Sequence, residues 1–159
     1  MASASDHVTL ANRNQEALTH LLATHRQFPE WITVIAFYKA LHVIDAMLEE
    51  DEAPTPNDHK RRAEILRSNT RYDAVWDHYR PLCSAASVAR YMGEEKGKEF
   101  TRFADYLSAD DVVAKIVRHR LHQVEAAALR LMPAAGARLV RAVPPKPPSA
   151  SAPPTGKKP

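Results

Sequence analysis

Apolar residues recur every three or four positions along most of this chain, and that spacing predicts helices. Leu10, Ala17, Leu18, Leu21 and Leu22 form a first stripe. Asp6 is placed to cap that helix, which ends near Arg26 before the Phe28-Pro29 break. A second helix is predicted over 30–50, with Pro29 tolerated at its first turn and Glu30 suited to the positive end of its dipole. Trp31, Ile35, Tyr38, His42 and Asp45 share one face, while Ile32, Val34, Leu41, Ile44 and Leu48 widen the apolar surface. A helix apolar almost all round belongs at the centre of a bundle.

The prolines at 54 and 56 end that helix. Asn57 is a natural cap for a third helix over 58–67, and Ser68-Asn69-Thr70 reads as a turn. Tyr72, Val75, Trp76, Tyr79 and Leu82 mark a fourth helical segment, with Pro81 expected to kink or break it before a short continuation over 84–91. Gly93 and Gly97 flank a charged loop, and 98–107 reads as a short helix or a return loop. Ser108 caps the last helix, whose buried face is Val112, Val113, Ile116, Val117, Leu121, Val124, Ala128 and Leu129; Pro133 and Gly136 end it. No run alternates apolar and polar residues convincingly. The prediction is an all-α, up-and-down bundle of about five helices.

Composition sets the boundaries. Residues 7–132 form the bundle, and 133–159 read as a disordered tail rich in proline, alanine and lysine. The stretch 143–159 holds seven prolines, three lysines and no acid. Without it the chain carries 19 basic and 19 acidic residues, so the basic pI near 9.1 does not imply a nucleic-acid surface on the body. The single Cys83 excludes an intrachain disulfide and a multi-cysteine zinc site. The opening residues show neither a basic nor an apolar signal region, and Lys39, His42 and Asp45 interrupt the best candidate for a membrane span. A cytoplasmic protein with no membrane partner is expected.

The string from Ala36 to Leu48 (AFYKALHVIDAML) resembles the core helix of HEPN domains, with an aromatic-Tyr pair followed by His and then Ala-x-Leu. His59 opening the next helix fits one branch of that superfamily, as do Tyr79-x-x-Leu82 and the later Ser87-Val88-Ala89-Arg90-Tyr91. The resemblance spans about residues 8–131. It implies a bundle of helices, commonly a homodimer, with a nucleotidyltransferase or an antitoxin as a possible partner. Many members are metal-independent ribonucleases of toxin–antitoxin type. Others only bind a nucleotide, an RNA or a partner protein. Catalytic members carry Arg and His separated by about four to six residues near the start of a late helix. Here Arg118 and His122 have three residues between them.

The candidate catalytic pair is therefore Arg118 and His122, which share a helix face at i and i+4. The arginine would hold a phosphate and the histidine would move a proton. The candidate binding residues are Tyr38, His42, Asp45, His59, Arg90 and Tyr91. Asp45 can orient the His42 imidazole, although a core histidine satisfied by an inward hydrogen bond is the simpler reading. Arg90-Tyr91 can meet a phosphate or a base by charge and stacking, or can equally pin the bundle. His42 and His59 facing each other would supply two metal ligands without a third, so no metal and no cofactor are assigned. Trp31, Trp76 and Tyr79 are expected in the core, and Cys83 as a small core residue rather than a nucleophile. The expected role is a non-catalytic binding module. A ribonuclease and a purely structural scaffold are the alternatives.

Overall fold

The computed structural model describes residues 2–54, 56–92, 94–95 and 97–142. Apart from two single 3-10 turns, six helices follow one another among the described residues. They are α1 (Ala4–Leu22), α2 (Pro29–Glu50), α3 (His59–Ser68), α4 (Asp73–Tyr91), α5 (109–129) and α6 (Pro133–Gly136). A two-residue hairpin, β1 (Glu94–Glu95) against β2 (Lys98–Glu99), occupies the expected charged loop. The long helices alternate in direction. His7 of α1 meets His42 of α2 while Gln15 meets Lys39, and Tyr72 meets Asp51 while Arg90 reaches Tyr38. The all-α bundle is thus the observed architecture.

Helix α2 is the rod about which the others pack. It touches α1, α4, α5 and α6. It is long and apolar enough to cross a membrane, yet 78% of its most apolar window is buried inside the bundle. Ile32, Ala36, Ala40, Val43, Ile44, Ala46, Met47 and Leu48 are all completely buried. Alanines at 36, 40 and 46 let neighbouring helices approach closely, and the branched side chains fill the spaces between them.

Local signals place most ends within a residue or two. Ser108 Oγ accepts the Asp111 N–H, as expected of its cap. The α1 cap is Ser3 rather than Asp6. Ser3 Oγ accepts the Asp6 N–H at 3.2 Å and the Ser3 N–H donates to Asp6 Oδ2 at 2.8 Å, a reciprocal capping box. Asp58 rather than Asn57 caps α3, accepting the Arg61 N–H at 2.7 Å. Pro81 does not break α4, which runs through it to Tyr91. The buried face of Val75, Tyr79, Leu82, Ala85, Ala86 and Val88 is continuous across the proline and holds both halves in one helix. The middle of α5, Val112–Leu121, is wound as a π-helix. Such windings are rare and short in most proteins.

The boundary expected at residue 132 moves to at least 142. Helix α6 turns the chain back, with Gly136 so close to Leu129 that a Cβ would lie 2.5 Å from Leu129 Cδ2. Glu50 accepts the Ala134 and Ala135 N–H groups at 2.7 and 2.8 Å, a carboxylate at a helix N-terminus. Asn12 accepts the Val140 N–H and donates to the Arg138 carbonyl, both at 2.8 Å. Ala135 and Ala142 are buried. The rest of the expected disordered tail, 143–159, lies outside the described residues.

A buried ion pair closes this arrangement. Lys39 of α2 and Glu125 of α5 have fully buried side chains in direct contact. Lys39 Nζ also donates to Gln15 Oε1 at 2.6 Å and to the Val140 carbonyl at 2.8 Å. Glu125 Oε2 accepts the Ala142 N–H at 2.8 Å. Burial lowers the Lys39 pKa and the Glu125 charge opposes that shift. Removing one partner of such a pair leaves an uncompensated buried charge. Lys39→Met should cost about 3–5 kcal/mol in urea unfolding, and Lys39→Met combined with Glu125→Gln should recover at least half of that loss.

Candidate functional site

The polar residues of α2 do not act as one unit. Asp45 is buried and is held by Arg62 of α3, whose Nε donates to Oδ1 at 2.7 Å and Nη2 to Oδ2 at 2.8 Å. This bidentate pair fixes α3 against the central rod. Arg62 Nη1 is 3.4 Å from the Asp58 carbonyl and 3.5 Å from His59 Nδ1. His42 instead faces α1, with its Nδ1 3.3 Å from Nδ1 of His7. His42 and His59 are therefore not paired. His59 lies against the Phe37 ring at a centroid distance of 5.4 Å.

Tyr38, His59, Arg90 and Tyr91 do converge. The Arg90 guanidinium lies 5.3 Å from the Phe37 ring centre, 5.9 Å from Tyr38 and 5.0 Å from Tyr91. Its Nε donates to the Ala86 carbonyl at 3.1 Å, which fixes its direction. Among the described residues no carboxylate pairs with it. Phe37 anchors the cluster from below, stacked on Tyr79 at 5.8 Å. The His59 pKa is lowered by its partial burial and then by the positive charges of Arg62 and Arg90. Three basic groups thus share one aromatic-walled neighbourhood.

Deeper in, burial pushes the Tyr79 phenol well above its usual range and the Cys83 thiol up to about 11. A thiol held neutral is no nucleophile, as the sequence suggested.

Arg90 also lines a groove of about 770 Å³, together with Trp31, Val34, Met92, Arg102 and Phe103. Trp31 is 62% exposed and Tyr91 is 70% exposed. Trp31 was expected in the core. It sits on the first turn of α2, on a side that the neighbouring helices leave uncovered. Phe28 and Met92 are exposed beside it, so the aromatic surface runs from the groove to the Arg90 cluster.

Arg118 and His122 face α1 and the C-terminal segment respectively. Arg118 lines a cavity of about 220 Å³ with Leu22, His25, Val113 and Val117. His122 is occupied by Arg141, whose Nη2 lies 3.2 Å from Nε2 and 3.4 Å from Nδ1. One guanidinium nitrogen at both distances lies over the face of the imidazole, so Arg141 packs on the His122 ring and leaves the in-plane position of each ring nitrogen open.

Three participants escaped the sequence reading. Arg62 is a long-range partner, His7 is a lone polar residue in the first turns of α1, and Arg120 reaches His78 Nδ1 at 3.1 Å on the far side of α5. Only Arg62 carried a local signal, at i+3 from His59.

The histidines make stability depend on pH. The pKa of His42 is lowered by burial and by His7, that of His59 by burial and Arg62, and that of His78 by burial and Arg120. A histidine whose folded pKa lies below its unfolded value binds more protons when unfolded. Stability should therefore be full above pH ~6.5 and fall as pH drops below it, and His42→Gln should flatten that fall in thermal melts taken across pH 5–8.

No protein-family model, no curated protein and no solved structure matches this chain.

Proposed function

We propose that this chain is a HEPN-like helical module that binds, without cleaving, a ligand carrying both phosphate and an aromatic base, an RNA or a nucleotide. The ligand lies on the face formed by Tyr38, His59, Arg90 and Tyr91. The observation that carries this reading is Arg90, a guanidinium set among three aromatic rings with no acidic partner among the described residues. Stacked arginine and exposed tyrosine are the pairing that holds single-stranded nucleic acid: charge meets phosphate, and ring faces meet bases. His59 adds a donor whose charge rises as an anion approaches. The neighbouring groove adds the exposed Trp31 as a stacking surface for a second base.

Non-catalytic binding is favoured over the ribonuclease alternative because Arg118 lines a cavity with Leu22 and His25 whereas His122 packs against Arg141, so the two do not line one cleft. The resemblance extends the proposal to a cytoplasmic homodimer that works beside a nucleotidyltransferase or an antitoxin.

Fluorescence anisotropy with a short labelled single-stranded RNA, and with labelled ATP, tests the reading. Arg90→Ala should weaken binding at least tenfold, about 1.4 kcal/mol. Tyr91→Ala should weaken it severalfold, and affinity should fall with added salt. The RNA should be recovered intact without added metal. Equal binding by Arg90→Ala, or cleavage that His122→Ala abolishes, would overturn the assignment.

A further inference from the structure

We propose that His7 and His42, with Asp45, form a binding site for one divalent transition metal of the zinc class. The site lies where the first turns of α1 cross the second half of α2, and it is independent of the phosphate-binding face. Its central observation is a distance. The two Nδ1 atoms stand 3.3 Å apart. Zinc binds imidazole nitrogen at about 2.0–2.1 Å, so two nitrogens at a tetrahedral angle lie roughly 3.3–3.4 Å apart. The centroids are 5.6 Å apart and the ring planes are inclined at 32°, so the two Nδ1 atoms face each other head-on, and ligation of a metal at a tetrahedral angle requires each ring to tilt by roughly 20–35°.

Asp45 supplies the third ligand. A carboxylate oxygen of Asp45 and one ring nitrogen from each histidine all lie within 4.8 Å of one another. Both carboxylate oxygens accept from Arg62, but each retains a second lone pair. The Arg62 charge is offset by Asp45 itself, so the site does not present a bare cation to the metal. The burial that lowers the His42 pKa keeps that imidazole neutral near pH 7, which is the form that ligates. His7 and His42 are half-buried rather than enclosed, which leaves a fourth position to water.

A second histidine pair in the molecule shows what a non-site looks like. His78 and His119 also approach to 5.6 Å between ring centres, but Arg120 Nη1 sits 3.1 Å from His78 Nδ1. A guanidinium there occupies the lone pair a metal would need. Among the described residues no guanidinium sits on either nitrogen of the His7–His42 contact, and the only group a metal must displace there is the proton shared between the two Nδ1 atoms.

The test uses the full-length chain without an affinity tag, treated with chelator and then titrated with Zn²⁺ by calorimetry and with Co²⁺ by visible absorption. The expected result is one equivalent bound, with visible Co²⁺ bands from imidazole coordination. His7→Gln and His42→Gln should each weaken binding at least tenfold, while His119→Gln should leave it unchanged. Zn²⁺ should raise the melting temperature of the wild type and not that of His7→Gln, which alters only a half-buried position near the start of α1. Absence of binding would overturn the proposal and make the contact a histidine–histidine hydrogen bond. Binding that both histidine substitutions leave unchanged would overturn it equally.

Discussion

The structure depends on one buried charge pair. Lys39 sits in the middle of the most apolar helix, where an unpaired ammonium group would not be tolerated. Its charge is met by Glu125, its other donors by Gln15 and the Val140 carbonyl, and the second Glu125 oxygen by Ala142. That single centre contacts α1, α2, α5 and the returning C-terminal strand of chain. Apolar packing alone leaves helices free to rotate or slide by a turn, because one branched side chain fills a hole much like another. A buried charge pair tied to Gln15, Val140 and Ala142 permits one register.

Asp45 repeats the principle two turns further along α2. Its pairing with Arg62 sets the orientation of α3, which has only two buried side chains, Arg62 and Leu66, to hold it. Because α3 is placed this way, His59 comes to rest against Phe37, and the Arg90 cluster gains its third basic group. The polar residues of α2 therefore act mainly through the positions they impose on other helices. Tyr38, at the surface, is the one that meets the Arg90 cluster directly.

What could be read from the sequence divides along the same line. The limits of α2 and the Ser108 cap follow from local chemistry: proline at a first turn, prolines after the last, and a hydroxyl before two acids. Tyr38 was read with His42 and Asp45 on one face of α2 and Arg90-Tyr91 as a separate pair, and it is the packing of α4 on α2 that brings Tyr38, Arg90 and Tyr91 together. Pairings across the bundle were not legible. Nothing near Lys39 announces Glu125, and nothing near Asp45 announces Arg62 as its partner. The Pro- and Ala-rich composition of 133–142 looked like tail because its anchors, Glu50, Asn12, Lys39 and Glu125, lie far away in sequence. Ser3 and Asp6 are both competent caps, and only their mutual hydrogen bonds decide which of them ends the helix. Trp31 looked like core because periodicity marks a face without saying how far its neighbours cover it.

Native-state hydrogen exchange tests the central claim most directly. If the Lys39–Glu125 centre locks the C-terminal segment into the bundle, the amides of Val140 and Ala142, both hydrogen-bonded to side chains, will exchange almost as slowly as those in the middle of α2. Their protection should collapse in Lys39→Met while that of α4 persists. Exchange of those two amides at the rate of an unstructured chain in the wild type would contradict the account.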